Sequence, residues 1–295
     1  MKNFRFNKII VLESLKDNER HTGKELYDDL ISRMPYIHTE LKVEYHDIDT
    51  LAQWDVVMDD ILGDCLQNHN IPIIHFEIHG ESNGKGLVIK NHELATLEHV
   101  GAQLRNINIA TGCNLFITLG VCKGLYLLFN MIMSEPMPFI GAVGSFSNLK
   151  NDDIYIRFYD FYDTLFSSMD IGKAFTALQH ANPDMPAEYR YIPADELFYK
   201  NYHLYLKEQC TKAALARRAK ESIGELKKQK PMNRRERRMK EKEFIAMEKK
   251  SREKYFREHS SKFFMLSEYP DNKDRFNVPS TFKELKDRYD RLVTL

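Results

Sequence analysis

The sequence predicts an α/β fold in which a mainly parallel sheet is flanked by helices. Short apolar segments suited to buried strands alternate with amphipathic segments of helical periodicity over the first two thirds of the chain. Such alternation is typical of βαβ crossovers, which join parallel strands and lay the connecting helices on the sheet. The last third is rich in charge and helical in character, so it predicts a separate helical extension.

Each predicted strand is a short apolar stretch bounded by polar or turn-forming residues. Five stretches have this character: 8–15, 41–48, 71–80, 114–122 and 138–147. The second alternates apolar and polar residues as a half-buried strand does, whereas the fourth is apolar almost throughout. We therefore expect a sheet of at least five strands.

Amphipathic segments separate these strands. In 22–37, Leu26, Leu30 and Met34 recur every four residues behind Thr22, a suitable N-cap residue. Further helical segments are expected over 50–69, 91–109, 123–133 and, after an extended start, 153–181.

The C-terminal third predicts long charged helices. A helix is expected to begin near Asp195 and to be interrupted at Pro231, because proline removes a helical hydrogen bond. A second, highly charged helix is expected over 233–259, and a closing helix over 280–295.

Charge divides the chain unevenly although its net charge is zero. Between Lys207 and Glu258 there are 19 Lys or Arg and 9 Asp or Glu residues, which leaves 24 basic and 34 acidic residues elsewhere. The asymmetry predicts an acidic α/β domain over 1–205 and a basic helical extension over 206–295.

Composition excludes several classes of protein. With 43% hydrophobic residues the chain can bury a core, which argues against wholesale disorder. No secretory signal and no apolar run of about 20 residues is evident, so we expect a soluble, intracellular chain with reduced thiols. The cysteines match neither a zinc pattern nor a disulfide framework; they are Cys65, Cys113, Cys122 and Cys210.

Two predicted strands end in reactive groups. One ends at His79 and Gly80, and the other at Cys122, which Lys123 and Gly124 follow. Because ligands gather at the carboxyl ends of parallel strands, neighbouring strands would bring imidazole and thiol together. A nearby histidine activates a cysteine nucleophile, and the N–H groups of Gly80 and Cys122 could form an oxyanion hole. A helix beginning behind Cys122 would further favour its thiolate.

His75, Glu77 and His79 occupy alternate positions on the same predicted strand, and this row has three interpretations. Imidazole and carboxylate suit zinc or iron, but no distant third or fourth ligand is evident, so we expect neither a metal nor another cofactor. Glu77 and His75 could instead support His79, as the third member of a catalytic triad does. They could also form a polar seam, in which the side chains serve only to hydrogen-bond one another or a neighbouring strand.

These segments resemble the CHAT proteases, a family of caspase-like, clan CD cysteine peptidases. "HFEIHG" (75–80) before a Gly-rich loop is similar to their HFxxHG motif, and "NLFITLGVCKG" (114–124) to the strand that ends at their catalytic cysteine. "PFIGAVGSFS" (138–147) and the aromatic helix after it resemble the next strand and helix of the family. The resemblance covers roughly residues 5–200. It implies a caspase-like three-layer fold with His79 as catalytic base and Cys122 as nucleophile.

The resemblance implies a regulated cysteine endopeptidase that cleaves a protein substrate, in a bacterial defence or programmed-death system. Two alternatives remain: a catalytically inactive caspase-like module that docks a partner or nucleic acid through its basic helices, and a metal hydrolase on His75, Glu77 and His79. The basic stretch within 206–295 favours docking of a regulatory or sensor protein over direct nucleic-acid contact, because it lacks interleaved aromatic residues. No membrane contact is expected.

Overall fold

The computed structural model describes residues 4–229, 231–281, 283–285 and 287. It confirms the predicted α/β class, with a mainly parallel sheet flanked by helices and a helical C-terminal region. The chain divides into two compact units: Met1–Ile132 with Pro136–Ala194, and Met133–Glu135 with Asp195–Leu295. The functional division between 1–205 and 206–295 stays a prediction.

The first unit contains a sheet with the strand order β2-β1-β3-β6-β7-β8. Its strands are β1 (Lys8–Ser14), β2 (Lys42–Asp47), β3 (Pro72–Gly80), β6 (Phe116–Leu119), β7 (Gly141–Ser145) and β8 (Tyr189–Pro193). Neighbours pair in parallel except at β7 and β8, which are antiparallel. Two short strands, β4 (Gly86–Val88) and β5 (Leu94–Thr96), extend antiparallel from the end of β3. The sequence analysis did not anticipate β4, β5 or β8.

Five α-helices belong to this unit: α1 (Thr22–Asp29), α2 (Leu51–Asn68), α3 (Leu97–Ala110), α4 (Asn151–Ser168) and α5 (Ile171–His180). Three predicted helices are wrong in part. The segment 91–109 includes strand β5 near its start, so its helix, α3, begins only at Leu97. The segment 22–37 changes to a 3-10 helix at Ile31–Tyr36, which contains Pro35. The segment 123–133 is a 3-10 helix at Gly124–Asn130, not an α-helix. The extended start predicted at 153 is also wrong, because α4 is already helical there.

Both faces of the sheet are covered, so its central strands are buried on either side. All seven residues of β1 are buried, as is usual for a parallel strand with helices on either side. On one face the Trp54 ring of α2 stacks on Phe76 of β3, with ring centroids 5.8 Å apart. On the other face Phe158 of α4 meets the ring of His75 edge-on at 4.7 Å.

The second unit is helical. It contains most of α6 (Ala194–Leu204), a π-helical turn (Tyr205–Gln209), α7 (Lys212–Gln229), α8 (Arg234–Phe263) and α9 (Asn272–Arg275). The single helix predicted from near Asp195 to Pro231 is wrong in part, because the π-helical turn separates α6 from α7. Pro231 falls between α7 and α8, as predicted, and Asn233 caps α8 in a reciprocal capping box with Glu236. Most of the closing helix predicted over 280–295 lies outside the described residues.

Across the described portions of both units, no helix combines the length and apolar character needed to cross a membrane.

Glu13, near the end of β1, holds the connection from β1 to α1 in place. Its side chain is fully buried. One oxygen accepts the backbone N–H groups of Gly23 and Lys24 at 2.9 and 3.2 Å. The other lies 2.8 Å from His21 Nδ1 and accepts the Tyr45 hydroxyl at 2.7 Å. These contacts supply the partners that a buried carboxylate requires, and they fix the segment that crosses the strand ends.

We expect Glu13→Gln to lower the free energy of unfolding by about 3 kcal/mol, because an amide cannot accept every hydrogen bond that the carboxylate accepts. Urea denaturation measures the loss. Glu40→Gln, at an exposed position, is the matched control and should change stability by less than about 0.5 kcal/mol. Equal stability of the two variants would contradict this role for Glu13.

Candidate active site

His79 lies near the end of β3 with its side chain 45% exposed. Its Nε2 lies 2.9 Å from Oε2 of Glu19, in the loop between β1 and α1. Partial burial works against ionisation of Glu19, but hydrogen bonds from His79 and from the Lys16 N–H hold its pKa below the ordinary value. The imidazole therefore has an ionised carboxylate as its partner.

The sequence analysis missed Glu19. It lies 60 positions before His79 in the chain, and the loop that carries it has no motif of its own. The only signal was topological, because the loop after β1 opens at the same edge of the sheet as the end of β3.

Cys122 lies in the loop beyond β6, which ends at Leu119, so the predicted strand over 114–122 is too long. Its sulfur accepts the backbone N–H of Leu149 at 3.2 Å and lies 3.8 Å from the carbonyl oxygen of the same residue. The thiol is partly exposed. Lys123, which follows, has a left-handed backbone with φ of 57°. The α-helix N-terminus expected behind the thiol is therefore replaced by this turn and a 3-10 helix.

Gly80, the last residue of β3, meets Cys122 in the loop just after β6. The two strands are parallel neighbours, with Phe76 opposite Leu119. A Cβ atom on Gly80 would lie 1.8 Å from the carbonyl oxygen of Cys122, so only glycine permits this approach. The strand ends that carry the predicted base and nucleophile are therefore in direct backbone contact.

Strand alternation indicates where the Gly80 N–H points. The carbonyl oxygen of Phe76 accepts the N–H of Gly120 at 2.8 Å. Backbone groups of alternate residues face the same side of a strand, so Gly80 also directs its N–H toward the loop of Cys122. This direction is the one that the predicted oxyanion hole requires.

The loop over 80–86 forms one wall beside Cys122. Nζ of Lys123 donates a hydrogen bond to the carbonyl oxygen of Ser82 at 2.7 Å. Gly84, with φ of 72°, packs so closely on the ring of Tyr126 that a Cβ atom would lie 2.8 Å from it. The loop is therefore attached to the segment that follows the thiol.

His75 and Glu77 form a buried chain of hydrogen bonds beneath this edge. Nε2 of His75 lies 3.1 Å from Oε1 of Glu77, whose other oxygen accepts the Thr22 hydroxyl at 3.0 Å. Nδ1 of His75 lies 2.8 Å from the hydroxyl oxygen of Thr118, which lies 2.8 Å from that of Tyr162. Burial raises the pKa of Glu77 despite its hydrogen bonds. His75 and Glu77 thus hydrogen-bond to each other, whereas the carboxylate partner of His79 is Glu19.

Glu77 nevertheless reaches the loop of Cys122. A Cβ atom on Gly120 would lie 2.6 Å from the carboxylate of Glu77, and one on Gly23 would lie 2.8 Å from its Cγ atom. The Glu77 side chain therefore fills the space between the start of α1 and the chain leading to Cys122. Glu77 therefore supports the predicted nucleophile indirectly, through the packing of the loop that carries Cys122.

The remaining candidate groups are a metal site and the other three cysteines. Within the described ranges no group of three or more His, Cys, Asp or Glu side chains is arranged to hold a metal ion. Cys65 and Cys113 are buried, and burial raises the pKa of Cys65 to about 12. Cys210 belongs to the helical unit.

Gly80→Ala should lower the free energy of unfolding by about 2 kcal/mol or more, because the new methyl group overlaps the Cys122 carbonyl. Gly63→Ala on α2 is the matched control, since its Cβ would meet nothing within 4 Å. That change should raise stability by about 0.5–1 kcal/mol through helix propensity. Thermal and urea unfolding of both variants provide the measurement, and a neutral Gly80→Ala would contradict the contact.

Comparison with known proteins gives no family assignment. No protein-family model matches the sequence, and a search of curated proteins found no match. The likeness to CHAT proteases therefore rests on the residues of this chain alone.

Proposed function

We propose that this chain is a cysteine endopeptidase of the CHAT type, in which Cys122 is the nucleophile and His79 the general base. The observation that carries the proposal is the contact of Gly80 with the Cys122 carbonyl at the carboxyl ends of two adjacent parallel strands. One strand end supplies an imidazole and the other a partly exposed thiol. This is the pair of groups that nucleophilic cysteine catalysis uses.

In the proposed reaction, His79 takes the proton of Cys122, and the thiolate attacks a peptide carbonyl carbon. The N–H groups of Gly80 and Cys122 donate to the oxyanion of the tetrahedral intermediate. The protonated imidazole then gives its proton to the leaving amine, which yields a thioester and a new N-terminus. Water, deprotonated by His79, hydrolyses the thioester and restores the thiol.

Glu19 is the positioning residue for His79 in this mechanism. With Nε2–H of the neutral ring donated to Glu19, Nδ1 is the nitrogen that remains to accept the cysteine proton. The carboxylate also stabilises the imidazolium that forms during the reaction, as the acidic member of a catalytic triad does.

We further propose that the peptidase is regulated. The sulfur of Cys122 is hydrogen-bonded to the backbone of Leu149, and the imidazole of His79 to Glu19. In the proposed activation, the sulfur leaves Leu149 and approaches Nδ1 of His79. A protein partner that binds the helical unit is the proposed source of this change, and the resemblance implies a defence or programmed-death setting within a bacterial cell.

The hydrogen bond between the Cys122 sulfur and Leu149 favours one competing function, a catalytically inactive caspase-like module that docks a partner or nucleic acid through 206–295. In that case the sulfur contact with Leu149 is permanent, and Cys122 has no chemical role. Reactivity of the thiol distinguishes the two functions.

Cys122 should react with iodoacetamide at neutral pH at least tenfold faster than Cys65, Cys113 or Cys210, because only a thiolate attacks the reagent readily. Peptide mapping by mass spectrometry measures each rate. His79→Ala should slow the labelling of Cys122 on the order of tenfold. Equally slow labelling of all four cysteines favours the inactive module.

Peptide cleavage provides the direct test of the function. The full chain is incubated with a proteome-derived peptide library, and new termini are identified by mass spectrometry. Cleavage should disappear in Cys122→Ala. Retention of the same cleavages in that variant would overturn the assignment of the nucleophile.

Glu19→Gln should lower kcat on the order of 10- to 100-fold with little change in KM, because orientation of His79 is lost while peptide contacts remain. Glu25→Gln is the control, since Glu25 pairs with Arg20. Hydrolysis of a peptide identified in the library measures both variants. Equal rates for Glu19→Gln and wild type would exclude the positioning role.

A further inference from the structure

The first turns of α8 present a concentrated basic surface. A concavity of about 480 Å³ is lined by Arg234, Arg235, Arg238, Met239 and Lys242. All five residues are exposed. Four of these lining side chains are cationic, and none is acidic. We call these four cations the α8 basic face.

The carboxylates of this segment have other partners. Glu236 accepts the N–H of Asn233 in the capping box, Glu241 pairs with Arg237 and Glu243 with Lys240. In the described part of the chain no carboxylate lies within ion-pairing distance of the α8 basic face. None of these four cations therefore forms an ion pair within the described residues, whereas other cations of α8 form the usual i,i+3 and i,i+4 pairs.

We propose that the α8 basic face binds the phosphate backbone of a nucleic acid, without reading its bases. Three of the four cations are arginines, whose planar guanidinium groups pair with phosphate oxygens through two parallel hydrogen bonds. This proposal is independent of the peptidase function, because α8 belongs to the helical unit and the candidate active site to the other.

The spacing of the α8 basic face suits a polymer with regularly repeated charge. Arg234, Arg238 and Lys242 stand at i, i+4 and i+8 of one helix. At about 1.5 Å of rise per residue, they form a row with steps of about 6 Å on one side of the helix. A row of this kind can follow consecutive phosphates of one strand.

The same surface fits an acidic protein less well. Met239 is the only apolar residue between 234 and 243, whereas protein interfaces depend on buried aromatic or aliphatic anchors. Phosphate binding needs no such anchor, because release of condensed counterions drives it. The basic segment therefore has the composition of a backbone-binding surface.

Fluorescence anisotropy with labelled single-stranded RNA, single-stranded DNA and duplex DNA tests the proposal on the full chain across a salt series. The variant Arg234→Gln/Arg238→Gln/Lys242→Gln removes the row while keeping good helix formers. The slope of log affinity against log salt should become shallower by about 2–3. Affinity at about 0.1 M salt should fall on the order of 100-fold. The order of affinity among the three probes identifies the kind of nucleic acid.

A second variant removes the same charge from paired positions of α8. Arg237→Gln/Lys240→Gln/Lys254→Gln takes away cations that contact Glu241, Glu243 and Glu258. It should keep the salt slope close to that of wild type, and circular dichroism should show equal helicity in both variants. Equal losses in the two variants, no salt-dependent binding to any probe, or equally tight binding of polyglutamate would each overturn the proposal.

Discussion

The close approach of Gly80 to the Cys122 carbonyl is the constraint on which the candidate active site depends. β3 extends past the last paired residue of β6, and the chain after β6 turns back across it. The Gly80 Cα atom lies so near the carbonyl that no side chain can be accommodated. In the proposed mechanism this contact would keep the N–H groups of Gly80 and Cys122 in place before the reaction, which is what oxyanion stabilisation requires.

Two buried carboxylates support this geometry from below. Glu13 collects hydrogen bonds from the start of α1 and so fixes the loop that brings Glu19 to His79. Glu77 fills the space under Gly120, whose missing side chain lets the carboxylate reach the loop of Cys122. Buried carboxylates are costly unless fully hydrogen-bonded. Glu13 and Glu77 both have such hydrogen bonds, and through them they fix the geometry beneath the strand ends.

Much of the fold could be predicted from the sequence because its signals are local. Parallel strands buried on both faces are continuous apolar runs, and amphipathic helices show their periodicity. The short strands β4, β5 and β8 were missed, since three to five residues carry little pattern. The 3-10 helix after Lys123 has the composition of an α-helix, and its form depends on the turn at that residue. Glu19 could not be predicted, because its contact with His79 arises only when β1 and β3 pair.

The segment after β7 controls the thiol in the proposed mechanism. The carbonyl oxygen of Ser147 accepts the Lys123 N–H at 2.9 Å, and the Leu149 N–H donates to the sulfur of Cys122. The Ser147 hydroxyl in turn donates to Glu188, just before β8. The Lys123 N–H and the Cys122 carbonyl belong to one planar peptide group, so the Ser147 contact also holds the carbonyl that Gly80 approaches. In the proposed activation, movement at Leu149 alone would free the sulfur and leave this peptide group in place. Hydrogen bonds exchanged with water contribute only about 1 kcal/mol each, so the proposed partner would need to supply little binding free energy to offset the lost contact with Leu149. Activation of this kind would require Leu149 to move while Ser147 keeps its hydrogen bond to Lys123.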